Sequence, residues 1–170
     1  MPANDTHTPA AVLILCCQGT TSEEIILTKR TDEVDHHKGQ ICLPGGAYDL
    51  KDKSLWETAL RETQEEIGVD PSQITLVREL TPRTTPTGFL VTPFVGRTTL
   101  PLSWNISKQE IAELFTVPLD YLKDAKNLSW TKRTWNNVEY LDPLFVYRQH
   151  EIWGLTSRIL CEFLGHQAPL

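Results

Sequence analysis

The rhythm of apolar and polar positions changes several times along the chain. AAVLILCC at 10–17, a Gln18-Gly19 break and EEIILTKR at 23–30 predict two buried strands joined by a turn. A polar loop, TDEVDHHKGQ, then leads to ICLPGG, where Pro44, Gly45 and Gly46 interrupt any regular element. Over 54–67 the spacing becomes helical. Trp56, Ala59, Leu60, Thr63 and Ile67 fall on one side, Ser54 and Glu57 form a capping box, and Gly68 is placed to end the helix.

Beyond the Asp70-Pro71 turn, QITLVREL (73–80) predicts a strand, and GFLVTPFVGRTT (88–99) another. Pro93 and Gly96 in the second favour an edge position or a bulge. SKQEIAELF (107–115) reads as a short helix and VPLDYLKDAKN (117–127) as a further helical turn or two. Paired strands are expected around Asn136-Asn137, followed by a helix over 151–165 with Ile152, Leu155, Ile159, Leu160 and Phe163 facing a core. Trp153 reads as a core residue too. Strands and helices mix without regular alternation, so the expected fold is mixed α/β, a sheet with helices packed on it. No repeat or linker divides the chain. The expectation is a loose tail over 1–9 and a single domain over 10–170.

Composition narrows the partners. A chain of 170 residues with 40% hydrophobic and 22% charged residues is ordinary globular material. Its formal net charge of -6 argues against nucleic acid or an anionic membrane as main partner. It leaves open a small anionic substrate, for which a bound cation supplies the local positive charge. Cys16, Cys17, Cys42 and Cys161 form no CxxC pair and read as reduced thiols. The start of the chain lacks a basic leader and its apolar run is too short for a membrane span, so the cytoplasm is the expected compartment. Either a monomer or a homodimer is compatible.

The helix over 54–67 raises the chemical question. At about 100° per residue, Glu62, Glu66 and Glu65 form one acidic arc beside the apolar stripe. A solvated face ordinarily mixes signs at i, i+4; here Glu62 and Glu66 are a like-charge pair and Glu65 adds to the repulsion. Carboxylates so spaced can converge on a hard divalent cation, although an acidic surface remains possible on spacing alone.

The order of residues goes further. Arg61-Glu62-Thr63-Gln64-Glu65-Glu66-Ile67-Gly68-Val69 resembles the REUxEExGU half of the Nudix box, with Thr63 a departure at the first apolar position. Eight residues before Arg61 the general box has Glu, where this chain has Lys53, and the loop is one residue longer than usual. GGAYDLKD, with Asp49 and Asp52, is similar to the GGxxDxxD pattern of the coenzyme A diphosphatase branch. His37, Gly39, Gln40 and Pro44-Gly45-Gly46 resemble that branch's HxGQ and FPGG, with Leu43 in place of Phe. TGFLVTPFVG and WGLTSRIL extend the similarity over residues 25–164. Asp35 departs, since the branch has arginine there.

The resemblance implies a Nudix-type α/β/α sandwich with a mixed β-sheet and flanking helices. It implies Mg²⁺ or Mn²⁺ held by Glu62, Glu65 and Glu66, and a catalytic group of Glu62, Glu110 and Arg61, the arginine orienting a glutamate. Glu113 is the alternative to Glu110. Substrate contacts fall to Arg30, His37, Lys38, Gln40, Gly45 and Gly46. The implied reaction is hydrolysis of the diphosphate of coenzyme A or acyl-coenzyme A. Another nucleoside diphosphate derivative (ADP-ribose, NADH, a dinucleotide polyphosphate) is the alternative. A nucleotide-binding module without catalysis is the reading of a different class.

Overall fold

Strand β1 (Thr8–Gln18) is apolar at nearly every position because both of its faces are covered. Ala11, Leu13, Leu15 and Cys17 pack against helix α1 (Leu55–Ile67), whereas Ile14 and Cys16 face helix α3 (Gly154–Leu164). The computed structural model describes residues 7–32, 39–98 and 103–169. Among these, eight strands form one mixed sheet. β1 runs parallel to β7 (Phe89–Arg97) and antiparallel to β2 (Glu23–Arg30).

The β1–β2 pairing covers only Cys16↔Ile25 to Gln18↔Glu23, after which the strands diverge. Two short strands fill the opening. β3 (Ile41–Cys42) pairs with the far end of β2, and β4 (Gly45–Ala47) pairs with β1 at Ala10–Val12. Their connection, Leu43-Pro44, crosses from β2 to β1, where the Pro44 carbonyl accepts from Leu13 N–H at 2.8 Å, while Gln40, just before β3, meets Arg30 at the end of β2. β5 (Thr75–Glu79) and β6 (Arg83–Thr84) border β7, and β8 (Ile111–Pro118) borders β2. After helix α2 (Leu119–Lys123), strands β9 (Leu128–Trp135), β10 (Val138–Tyr147) and β11 (His150–Ile152) make a second, antiparallel sheet. Phe145 and Ile152 of that sheet share a buried cluster with Ile159 and Leu160 of α3 and with Ile25 and Leu27 of β2. The layers are therefore α1, the mixed sheet, and α3 with the small sheet. This is the mixed α/β sandwich expected.

Several local expectations change. Residues 111–115 are strand, not helix: Ile111–Pro118 pairs with β2 along its length, and that pairing overrides the helical propensity of Ala112-Glu113-Leu114. Only Lys108–Glu110 keep a turn, with Glu110 N–H donating to the Ser107 carbonyl at 3.1 Å. β7 lies inside the sheet, between β1 and β5, despite Pro93. Pro93 falls at the break between β5 and β6, where its carbonyl accepts from Leu80 N–H at 2.8 Å and no partner asks for an amide hydrogen. The irregularity is carried by β5, which shifts register between Leu76 and Arg78. β1 begins at Thr8, inside the stretch read as tail, and Glu151-Ile152 belong to β11 and not to the terminal helix. The Asn136-Asn137 turn is as expected, both residues having positive φ (49° and 63°) as a two-residue hairpin requires.

The loop before α1 is built around one buried carboxylate. Asp52 accepts from Thr58 Oγ1 at 2.8 Å, Asp49 N–H at 3.1 Å, and Arg61 through Nε at 3.0 Å and a terminal nitrogen at 3.1 Å. Ser54 caps the helix by accepting from Glu57 N–H (3.2 Å), while Glu57 accepts from Lys53 N–H (2.9 Å), one residue earlier than a capping box requires. Arg61 above all holds the Asp52 carboxyl down, at about 2. Its folded value lies below the ordinary 3.8, so its stabilisation is complete above pH 4 and is lost as pH falls through 2. Asp52→Asn should cost about 2–3 kcal/mol at pH 7, and thermal melts from pH 7 to pH 2 should show the gap to wild type closing below about pH 4. A gap that stays constant across this range refutes the clamp.

Candidate active site

β4 and the end of β2 meet at the last turns of α1. Gly45 of β4 lies so close to the β1 backbone that it cannot carry a side chain, and Gly46 lies against the carboxylate of Glu62. A Cβ on Gly45, whose φ is 153°, would lie 2.2 Å from the Ala11 carbonyl oxygen, and one on Gly46 would lie 2.5 Å from the carboxyl carbon of Glu62. The Gly45 N–H donates to Glu66 Oε2 at 3.1 Å. At the end of β2, Arg30 brings a terminal nitrogen to 3.9 Å from Glu66 Oε1. Its Nε is buried and, among the described residues, has no hydrogen-bond partner.

Glu62, Glu65 and Glu66 share one arc but not one environment. Glu66 is 3% exposed, Glu62 17% and Glu65 57%. Burial pushes the Glu66 carboxyl up to about 8; the Gly45 N–H and Arg30 pull the other way, while the charges of Glu62 and Glu110 add to the rise. Glu62 is raised as well, first by burial, against the opposing pull of Arg61, with Glu65 and Glu110 adding repulsion. Arg61 connects the rest. It donates to Glu62 at 2.7 Å, to Glu65 at 3.2 Å and to the Ala47 carbonyl at 3.1 Å, in addition to Asp52. Those carboxylates raise its pKa, so it is a permanent cation.

Asp52 is the residue that spacing alone missed. Counting back from Arg61 reaches Lys53, whereas counting six forward from Gly46 reaches Asp52, the carboxylate that meets the arginine. The extra residue sits between Asp52 and Arg61.

Glu110 and Glu113 part company. The loop bearing Glu110 is tied to the end of α1, where Ser107 N–H donates to the Glu66 carbonyl (2.9 Å) and Asn105 N–H to that of Ile67 (3.0 Å). Glu110 is exposed there, and its charge is felt by both Glu62 and Glu66. Glu113 shares its face of β8 with Phe115 and Val117, the α3 side, and pairs with His150 Nε2 at 3.1 Å. Gln40 contributes its backbone, the carbonyl accepting from Arg30 N–H at 3.0 Å. His37 and Lys38, like Asp35, lie outside the described residues.

Among the described residues no three His, Cys, Asp or Glu side chains stand close enough to enclose a cation. The donor set fits a hard ion of another kind. Mg²⁺ commonly takes one or two carboxylates and completes its shell with water and phosphate oxygens. Glu66, buried among acids with one distant arginine, is a carboxylate still short of positive charge.

Comparison with known proteins gives the family. The NUDIX domain model matches residues 7–137. The uncharacterized Nudix hydrolase NudL of Pectobacterium atrosepticum is 37% identical over 155 residues, covering 89% of this chain and 78% of its own. That of Photorhabdus laumondii is 33% identical over 157 residues, 92% of this chain and 82% of its own. Among solved structures, an Ap4A hydrolase from C. elegans superposes with a TM-score of 0.56 at 21% identity, covering 68% of this chain and 82% of that one. A MutT/nudix family protein from Enterococcus faecalis superposes at 0.58 with 18% identity, over 96% of this chain and 63% of that one. The two structures speak for the fold, and the family model and the NudL relatives for descent: the chain belongs to the Nudix hydrolase family.

Proposed function

We propose that this Nudix hydrolase cleaves the diphosphate of coenzyme A or acyl-coenzyme A, releasing 3′,5′-ADP and 4′-phosphopantetheine, with Mg²⁺ or Mn²⁺. The observation that carries the metal-dependent part is Glu66, a nearly buried carboxylate placed against Glu62 with too little positive charge around it. Glu62 and Glu66 would hold the cation, and Glu65, exposed and bound to Arg61, would join them only after its side chain turns inward. A bound divalent ion supplies charge neutralisation at the phosphate oxygens and polarisation of the P–O bonds.

The chain's own groups do the remainder. Arg61 is a positioning residue: its bonds to Glu62 and Glu65 fix both carboxylates, and Asp52 fixes the arginine. Arg30, with an Nε that has no protein partner among the described residues, is suited to donate to a phosphate oxygen. The lack of a side chain on Gly46 lets the Glu62 carboxylate lie against the β4 backbone. Glu110 faces the acidic group from solvent and is our choice for the base that takes the proton of the attacking water. One anhydride P–O bond breaks as the new P–O bond forms.

The coenzyme A assignment rests on GGAYDLKD, the HxGQ-like segment and WGLTSRIL. Asp35 favours a second reading, another nucleoside diphosphate derivative, because an acid there repels a further phosphate. The NUDIX domain of Shewanella oneidensis NrtR, which superposes at a TM-score of 0.52 with 19% identity, was crystallised with ADP ribose. For the compartment we keep the cytoplasm, on four cysteines that are all free thiols; among the described residues no helix is long and apolar enough to cross a membrane.

With Mg²⁺, Glu66→Gln should lower kcat by at least about a hundredfold while the protein still melts cooperatively. Glu110→Gln should lower kcat by at least about tenfold with KM little changed, whereas Glu113→Gln should leave kcat within about twofold of wild type. A panel of coenzyme A, ADP-ribose, NADH and diadenosine polyphosphates, read by product mass, should give coenzyme A the highest kcat/KM. Turnover of ADP-ribose with coenzyme A inert selects the second reading.

A further inference from the structure

Where the small sheet meets the first turns of α3, two arginines share one carboxylate. Asp142 in β10 is 2% exposed. Arg133 of β9 approaches its Oδ2 through Nε at 3.1 Å, and Arg158 of α3 approaches its Oδ1 through Nε at 3.0 Å. The second contact is an ion pair outside hydrogen-bond geometry, and Arg158 Nε donates instead to the Gly154 carbonyl at 3.2 Å. One acid between two guanidinium groups leaves one positive charge over, in a chain whose net charge is -6.

That charge is displayed on an aromatic surface. Arg133 lies 5.1 Å above the centre of the Trp153 ring and Arg158 lies 5.9 Å from that of Tyr140. Both arginines are 42% exposed, and both rings are partly open, at 38% and 36%. Among the described residues neither arginine donates a hydrogen bond from a terminal nitrogen to the protein, so the outward donors of both forks are available. Trp153 is thus no core residue. An ion-pair clamp between hairpin and helix accounts for Asp142, but not for a second arginine or for two half-open rings under the guanidinium planes.

The position relates this face to the catalytic cleft. Trp153 follows directly on β11, and Thr156 Oγ1 donates to the Ile41 carbonyl of β3 at 3.1 Å, three residues before the Pro44-Gly45-Gly46 turn. Much of the face, Tyr140, Asp142, Trp153 and Arg158, lies beyond residue 137, where the match to the general NUDIX domain ends. A feature outside the common part of the family suits the choice of substrate better than the shared chemistry.

We propose that Arg133, Arg158, Trp153 and Tyr140 form a subsite for the phosphorylated adenosine end of the substrate, the guanidinium forks taking a phosphate on the ribose and the rings taking the base. This rests on the proposed function in one respect, that the substrate is a nucleotide with a phosphate outside the scissile diphosphate. Planar guanidinium forks bind phosphate bidentately and stack on π-systems, and a base adds area on the same rings.

Binding of adenosine 3′,5′-bisphosphate and of 5′-AMP, which differ only in the 3′-phosphate, tests the subsite by calorimetry in EDTA, without catalysis. Wild type should bind the bisphosphate at least about tenfold more tightly. Arg133→Gln and Arg158→Gln should bring that ratio to within about twofold while 5′-AMP affinity changes little. Equal affinity of wild type for both nucleotides overturns the proposal, as does an unchanged ratio in both variants. If a variant fails to melt cooperatively, amide exchange of the wild-type protein decides. Protection by the bisphosphate at 130–134, 140–144 and 152–158 supports the subsite, and protection confined to other segments overturns it. Failure of the coenzyme A assignment is separate: it appears as absent coenzyme A turnover in the substrate panel and leaves the nucleotide ratio readable.

Discussion

Carboxylates crowded on one turn of a helix repel one another, and in this protein a single cation within the fold, Arg61, holds that crowd together. It spans Asp52 before the helix and Glu62 and Glu65 on it, and reaches the Ala47 carbonyl across the turn. The guanidinium cannot reach every acid. Glu66 lies on the inner edge of the arc, where burial makes a charge most costly and Arg30 approaches only to 3.9 Å. The fold therefore carries a carboxylate that a divalent ion would complete, and α1 supplies both the core stripe and that carboxylate from one surface.

The sheet explains why the crowding is tolerated. β1 and β2 separate after three residue pairs, and the gap is filled by β3 and β4, where Gly45 is required because a Cβ would strike the Ala11 carbonyl of β1. Ala59, Thr63 and Ile67, buried against β1, anchor the helix along the stripe that borders the acids. Thr63 spends its hydroxyl on the Ala59 carbonyl at 2.7 Å, which makes a polar residue acceptable where the family pattern has a bulky apolar one. The loop that carries Glu110 is fastened to the carbonyls of Glu66 and Ile67 themselves, so helix end and loop move as a unit.

Much of this was legible beforehand, and the failures have physical causes. Periodicity located α1, its cap and its αL glycine, since an amphipathic helix advertises itself locally. It misread 107–115 because Ala-Glu-Leu is good helix material and only the neighbouring strand β2, some 80 residues earlier in sequence, makes it a strand. It also took Pro93 for an edge signal, where the sheet uses a break between two partner strands to accommodate it. The acidic arc and its arginine could be read from spacing and order. Asp52 stood out in the GGxxDxxD likeness, but its pairing with Arg61 was hidden because an inserted residue shifted the count from one end of the loop, and the Arg133–Asp142–Arg158 group was hidden because its members meet only across a hairpin and a helix.

The most direct test of the central claim compares the melting temperatures of wild type and Glu66→Gln at pH 9, with EDTA and with saturating Mn²⁺. The Glu66 carboxyl is raised from 4.5 to about 8, so its cost to the metal-free fold grows as pH rises through that interval and is complete by pH 9. Gln keeps the acceptor for Gly45 N–H and removes the charge. The account predicts a metal-free variant at least as stable as wild type, and an Mn²⁺-induced rise in wild type that is largely absent from the variant. A metal-free variant that is clearly less stable, together with an undiminished response to Mn²⁺, would contradict it.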